Sequence, residues 1–162
     1  MNNNLGLSVT GSNMQESQLV NAFTVDVEDY FQVSAFEEKI SRDGWERIDT
    51  RIERNIDKLL AVLDEFSVKG TFFVLGWVAE HYPNVIKNIA VNGHEIASHG
   101  YWHRRATQQT KVEFEKDVLA ARNILQDLTG ESIEGYRAPS FSIDKSNDWA
   151  YDVLSEIGHT YS

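Results

Sequence analysis

With 162 residues, 41% of them hydrophobic and 11% aromatic, the chain is long enough for one domain with a buried core. A formal net charge of −10, with no basic patch against that background, argues against nucleic acid or an anionic membrane surface as a partner. The absence of cysteine excludes disulfides, zinc–thiolate clusters and thiol nucleophiles, so any metal must sit on histidine and carboxylate.

Residues 1–18 are polar, rich in Asn and Ser, and contain neither a basic cluster nor an apolar run. They read as a flexible tail ahead of a single domain over residues 19–162, with no signal peptide or membrane span and hence a cytoplasmic location. The first strand is expected from Val20 to Val27, with Phe23, Val25 and Val27 on one face, and it runs into Asp26, Glu28 and Asp29. Alternate side chains of a strand point the same way, so Asp26 and Glu28 share the other face, while Asp29 falls where the strand gives way to a loop. Carboxylates crowded at one strand end call for a cation, either a metal ion or an arginine.

An aromatic, irregular segment through Tyr30, Phe31, Phe36 and Trp45 leads to Thr50, which has the capping-box spacing to Glu53. Ile52, Ile56, Leu59, Leu60, Leu63 and Phe66 then recur at helical intervals. Thr71 to Leu75 is a continuous apolar run, expected for a strand buried on both faces of a parallel sheet. A second helical stretch runs from about Trp77 to Val91, with Pro83 restarting it and Asn92-Gly93 closing it. The next strand delivers His99 and His103 into a Gly-interrupted turn, and an H-x3-H pair can bring both imidazoles onto one ion. Thr110 and Glu113 repeat the capping-box spacing before Phe114, Val118, Ala121, Leu125 and Leu128 mark another amphipathic helix ending at Gly130. A fourth strand is expected around Ile133 to Arg137, then a helix carrying Trp149, Val153, Leu154 and Ile157 before Gly158, and the start of a fifth strand.

Strand and helix alternate four times, the pattern of an α/β protein with a parallel sheet. Functional groups of such folds gather at the C-terminal ends of the strands. Strand one ends in Asp26, Glu28 and Asp29, strand three in His99 and His103, and strand four in Arg137 and Pro139. Two histidines and a carboxylate suit a catalytic Zn2+ or a comparable divalent ion, leaving a spare carboxylate as general base and an arginine to hold it. The same three ligands would serve a non-haem iron oxygenase. His94, His81, Trp45 and Trp77 read as structural residues, and Trp102 as either a sugar-stacking surface or a wall of the site.

These residues carry a resemblance. Thr24-Val25-Asp26-Val27-Glu28-Asp29 resembles the Thr-Phe-Asp-Asp motif of the NodB-type polysaccharide deacetylases, carbohydrate esterase family 4. Ser98-His99-Gly100-Tyr101-Trp102-His103 resembles the family's His-x3-His, and Arg137-Ala138-Pro139-Ser140 its Arg-x-Pro. The closest resemblance is to the subgroup associated with exopolysaccharide and exosortase loci. The family implies a distorted (β/α) barrel, of which this chain would supply the N-terminal part in about four β/α units. It implies a divalent metal, Zn2+ with Co2+ or Ni2+ as alternatives, and an N-acetylated polysaccharide or oligosaccharide as substrate. By the same resemblance Asp26 is the base, Arg137 orients it, and His99, His103 and Asp29 bind the metal, with Glu28 the alternative metal carboxylate or, if base and ligand are adjacent as in the family motif, the alternative base. Pro139, Ser140 and Trp102 would line the substrate cleft. The histidine acting as general acid in the family has no counterpart here, so the expectation is a truncated deacetylase, or else an inactive or glycan-binding remnant.

Overall fold

The computed structural model describes residues 21–162. The expected tail and the start of the first strand at Val20 lie outside the described residues. Three parallel strands, β1 (Thr24–Val27), β2 (Thr71–Val74) and β3 (Glu95–Ser98), form a sheet in the order β1-β2-β3. Asp26 pairs with Phe73 and Phe73 with Ala97, so the three strand ends sit level and open onto one rim. Parallel neighbours need crossover connections. These are α1 (Ile52–Glu65) between β1 and β2, then α2 (Gly76–His81) and α3 (Pro83–Val91) between β2 and β3. Beyond β3 come α4 (Lys111–Thr129) and α5 (Trp149–Ile157).

The expected fourth strand is reduced to two isolated parallel bridges, Ser98 with Tyr136 and Gly135 with Tyr161. Ser98 N–H donates to Gly135 O at 2.9 Å and Arg137 N–H to Ser98 O at 2.9 Å, after which the chain leaves the sheet. Pro139 explains the departure: it has no N–H for a ladder and opens a 3-10 turn over Pro139–Phe141. The incipient fifth strand is present as the Tyr161 bridge, with Tyr136 N–H donating to Tyr161 O at 3.0 Å.

The buried apolar residues divide into two clusters. Phe72, Val74, Leu75 and Ile96 of the strands pack with Ile56, Leu60 and Leu63 of α1 and Val85, Ile86 and Ile89 of α3. Phe114 and Val118 of α4 pack with Tyr136 and with Ala150, Val153 and Leu154 of α5. Trp45 and Trp77, read as core, are both buried and meet edge to face with ring centroids 5.4 Å apart. Of the two expected capping boxes only the second forms: Glu113 N–H donates to Thr110 Oγ1 at 3.3 Å, and Thr110 N–H donates to Glu113 Oε2 at 2.8 Å. At α1 the cap position is Arg51 instead: the Thr50 hydroxyl donates to Asp29 Oδ2 at 3.0 Å and accepts from Ile52 N–H at 3.2 Å, not from Glu53. No described helix is long and apolar enough to cross a membrane.

Candidate metal centre

The level strand ends and the turn after Arg137 enclose a cavity of about 290 Å3, lined by Asp26, Glu28, His99, His103, Arg137 and Ser140 among others. Asp26 projects from within β1 and Glu28 from just beyond it, two residues on, so the strand's alternation brings both carboxylates to one side. His99 follows β3 directly, and its N–H still donates to Val74 O of β2 at 2.9 Å. Gly100, with φ of 74°, then turns the chain so that His103 comes back over His99, their ring centroids 5.1 Å apart.

Hydrogen bonding fixes the state of His99. Its Nδ1 lies 2.8 Å from the carbonyl oxygen of Arg137. A carbonyl can only accept, so Nδ1 carries the proton and Nε2 presents a lone pair to the cavity. Burial also holds the His99 pKa below the ordinary imidazole value, with Asp26 opposing that shift and His103 adding to it. A neutral imidazole with a free, inward-facing nitrogen is the form that ligates metals. Glu28 Oε2 lies 3.0 Å from His103 Nε2 and 3.9 Å from His99 Nε2. Glu28 Oε2 is nevertheless buried without a hydrogen-bond partner, so the 3.0 Å approach is close but not aligned as a hydrogen bond.

One ligand atom from each of Glu28, His99 and His103 lies within 4.8 Å of the others, the only such grouping of potential ligands among the described residues. Ligands at about 2.0–2.2 Å from a tetrahedral zinc lie about 3.3–3.6 Å from one another, close to the spacing seen here. An orphaned carboxylate oxygen facing imidazole nitrogens fits a divalent cation better than it fits a hydrogen-bonded cluster. The donor set, two nitrogens and one oxygen with no sulfur, suits Zn2+ or a neighbouring transition ion.

Asp29, the favoured carboxylate ligand, is not brought to the histidines. Its side chain is buried and accepts from Tyr30 N–H at 2.8 Å, Thr50 Oγ1 at 3.0 Å and Arg51 N–H at 2.5 Å. The Arg51 guanidinium adds an ion pair at 3.6 Å. Those partners use its lone pairs to tie the loop after β1 to the start of α1, and the alternative carboxylate, Glu28, takes the place beside His99 and His103. Asp26 meets Arg137 as expected: Arg137 Nη1 donates to Asp26 Oδ1 at 2.6 Å and Nη2 to Thr24 Oγ1 at 3.0 Å. The guanidinium carbon also lies 3.9 Å from the ring centroid of Phe73, so packing and two hydrogen bonds fix its plane.

Of the expected cleft residues, Ser140 lines the cavity, whereas Pro139 is buried beneath the turn. Trp102 faces away. Its ring lies 5.9 Å from that of Trp45, and it borders a separate cavity of about 430 Å3 with Tyr101 and Arg104. Two residues on the site wall escaped the sequence reading. Ser34 Oγ lies 2.7 Å from Ser140 Oγ, bridging the loop after β1 to the turn after Arg137. Phe141 is 90% exposed at the rim and follows Ser140 in left-handed backbone, with φ of 55° and 52° for the pair. Non-glycine residues cost about 1–3 kcal/mol each in such conformations, and His103, with φ of 51°, is a third beside the cavity. Three of the four described non-glycine residues with positive φ thus lie at this rim, the fourth being Ser67 after α1.

His159, the remaining histidine of the C-terminal segment, lies elsewhere. It is buried against the Tyr136 ring at 5.7 Å and borders a third cavity with Tyr151 and Tyr161. His94 accepts from Gly70 N–H at 3.2 Å and packs against Phe72, and His81 stacks on Trp77 at 4.0 Å.

The family model for polysaccharide deacetylase matches residues 43–162. That stretch contains both histidines and Arg137 but begins after β1, so Asp26 and Glu28 join the site through the sheet. A peptidoglycan-N-acetylglucosamine deacetylase from Bacillus cereus is 37% identical over 82 residues, covering 51% of this chain and 30% of the relative. A chitooligosaccharide deacetylase from Sinorhizobium fredii is 33% identical over 99 residues, 60% of this chain and 43% of the relative. Among solved structures, a Mycobacterium smegmatis protein assigned to the polysaccharide deacetylases superposes with a TM-score of 0.68 at 31% identity. That superposition takes in 85% of this chain and 48% of the other. The chain thus spans less than half the length of each of these three proteins.

Proposed function

This chain belongs to the polysaccharide deacetylase family, and on that premise we propose that the protein removes N-acetyl groups from amino sugars of a polysaccharide, with a divalent metal, Zn2+ foremost, held by Glu28, His99 and His103. One observation carries the reading. The Glu28/His99/His103 cluster and the Asp26–Arg137 pair share the wall of one cavity, so a metal position and a fixed base lie side by side. A metal ion in that place supplies Lewis-acid polarisation of the acetamide carbonyl and a lowered pKa for water.

The chain's own residues do the rest. Asp26 accepts the proton of the attacking water through its carboxylate, which Arg137 holds in one orientation. His99 is locked by the Arg137 carbonyl in the tautomer that leaves Nε2 unprotonated, so one residue, Arg137, supports both the base and a ligand. Water adds to the carbonyl carbon, the C–N bond breaks, and acetate and the free amine leave. The amine needs a proton. Among the described residues lining the cavity, only the hydroxyls of Ser34 and Ser140 remain unassigned, and they are poor acids, so we place the general acid outside the described site. Phe141 offers an exposed aromatic face to a sugar ring beside the cavity.

The relatives' names support a glycan built on N-acetylglucosamine, and within that class an exopolysaccharide is the substrate we carry forward from the resemblance to the exosortase-associated subgroup. The test is acetate release from an N-acetylglucosamine oligomer by the complete protein, metal-stripped and then reloaded with Zn2+ under argon. Zn2+-dependent turnover without oxygen is the expected result and separates deacetylation from an iron oxygenase using the same ligands. A protein that binds Zn2+ and the oligomer yet releases no acetate would instead be a glycan-binding remnant.

A further inference from the structure

We infer that Asp117 of α4, acting with Arg42, is a positioning residue that holds the His99–His103 loop in its ligand-presenting conformation before any ion arrives. The inference rests on the metal-site reading above and extends it to residues that touch neither the ligands' imidazoles nor the cavity. Asp117 lies on the buried face of α4 with Phe114, Val118, Ala121 and Leu125, an acid on an otherwise apolar stripe. The residue is 9% exposed, and burial pushes its pKa up while two backbone N–H donors oppose that shift. Burying a carboxylate is costly, so its position needs a reason beyond packing.

The reason is visible in the loop backbone. Tyr101 N–H donates to Asp117 Oδ2 at 2.8 Å and Trp102 N–H to Asp117 Oδ1 at 3.2 Å. On the carbonyl side, Gly76 N–H donates to Gly100 O at 2.9 Å and Trp77 N–H to Tyr101 O at 3.2 Å, both from the first turn of α2. Arg42 completes the set, its Nε donating to Trp102 O at 2.8 Å and its Nη2 to His103 O at 3.3 Å. The N–H groups of the two residues before His103 and the carbonyls of residues 100–103 therefore all have partners. Asp117 also approaches so closely that a Cβ at residue 100 would lie 2.8 Å from its Oδ2, so the glycine at φ of 74° and the acid require each other. The strained backbone of His103, at φ of 51°, is what this double clamp maintains.

The decisive variant is Asp117→Asn, which keeps the shape of the side chain but turns an amide NH2 toward one of the two backbone N–H groups. In the 162-residue chain we expect Zn2+ affinity, measured by competition with a chromophoric chelator, to fall about 10- to 100-fold, as for other outer-shell partners of metal ligands. The visible spectrum of the Co2+-substituted protein should shift with it, because the ligands are the same but no longer held in one geometry. Ile89→Val, a buried change in α3 remote from the loop, supplies the control for mere loss of stability. It should lower the urea midpoint and leave both affinity and spectrum unchanged. Wild-type affinity and spectrum in Asp117→Asn would overturn the inference, and so would an Ile89→Val protein that loses affinity in step with its stability. Should Asp117→Asn fail to fold, Arg42→Met tests the other side of the clamp, and an unchanged affinity there overturns the inference equally. Failure of the wild type to take up Zn2+ would remove the metal-site reading itself, an outcome distinct from a wild type that binds and a variant that binds as well.

Discussion

Glu28 and Asp29 are neighbouring acids with different work, and the difference is set by what each meets rather than by what each is. Asp29 has three hydrogen-bond donors and Arg51, whereas the buried Oε2 of Glu28 has only the histidine nitrogens. Glu28→Gln should therefore weaken Zn2+ binding by more than ~100-fold with little loss of stability, since it removes a charged ligand whose own desolvation is unfavourable. Asp29→Asn should do the reverse, costing about 2–4 kcal/mol in urea denaturation by leaving buried donors unpaired while metal affinity stays near wild type. Calorimetric Zn2+ titration beside urea melts reads both, and metal loss in Asp29→Asn alone would return the ligand role to Asp29. Asp26→Asn should keep its metal and lose acetate release by about 100- to 10,000-fold in the complete protein, the range for removing a general base. Strand alternation made the shared face of Asp26 and Glu28 legible from sequence. The favoured choice of Asp29 rested on the resemblance, in which the second acid of the motif binds the metal. What the sequence did not show is that Thr50 and Arg51, more than twenty residues on, would claim that carboxylate.

At the level of elements, periodicity located the helices well and the hydrogen-bonding fate of their ends less well. Two identical Thr-x-x-Glu spacings gave one capping box, at Thr110, because the Thr50 hydroxyl is turned to Asp29 and Ile52 N–H and does not meet Glu53. Thr110→Ala should cost about 1 kcal/mol, seen as a lowered urea midpoint. The fourth strand was legible as a short segment around Ile133 to Arg137 but not as mere bridges, since Pro139 takes the chain out of the ladder. Asp117 was invisible for a related reason: on a helical wheel it is one acid on an apolar stripe, and only the loop above it explains it. The segment after α5 carries its own pH dependence. Burial lowers the His159 pKa from 6.5 to about 4, so between these values the unfolded chain binds a proton that the folded chain refuses. The stability His159 contributes is complete above pH 6.5 and is lost as pH falls toward 4. His159→Gln cannot titrate, so the fall in urea stability from pH 7.5 to 4.5 should be smaller in the variant by about 1–2 kcal/mol. An identical pH dependence in both proteins would show that His159 is not held neutral.

For the whole molecule, the site's chemistry and the extent of the fold have to be taken together. The sheet is open. β1, which carries Asp26, has β2 on one side and no described strand on the other; Phe23 just before it is 41% exposed, Phe141 at the cavity rim 90%, and Tyr161 beyond β3 41%. An open strand edge and exposed aromatics are features that complete domains pair or cover. The chain covers 48% of the Mycobacterium smegmatis structure it superposes on. On the proposed reading the site has a candidate ligand cluster and a fixed carboxylate in Asp26, but no described residue lining it is placed to protonate a leaving amine. Those two gaps make different predictions for the 162 residues tested alone. Metal binding depends on β1, β3 and the loop that Asp117 and Arg42 hold, all present, so Zn2+ should bind with near one-to-one stoichiometry. On the proposed mechanism turnover depends also on a general acid placed outside the described site, whose assistance is worth about 100- to 10,000-fold, and on a cleft closed against water. At matched Zn2+ occupancy, acetate release from an N-acetylglucosamine oligomer by these residues alone should therefore fall below that of a protein extended to the length of the relatives by at least ~100-fold. Equal rates would show that a group already present, such as the Ser34 and Ser140 hydroxyls joined across the cavity, completes proton transfer, and the general acid would then have to be sought there.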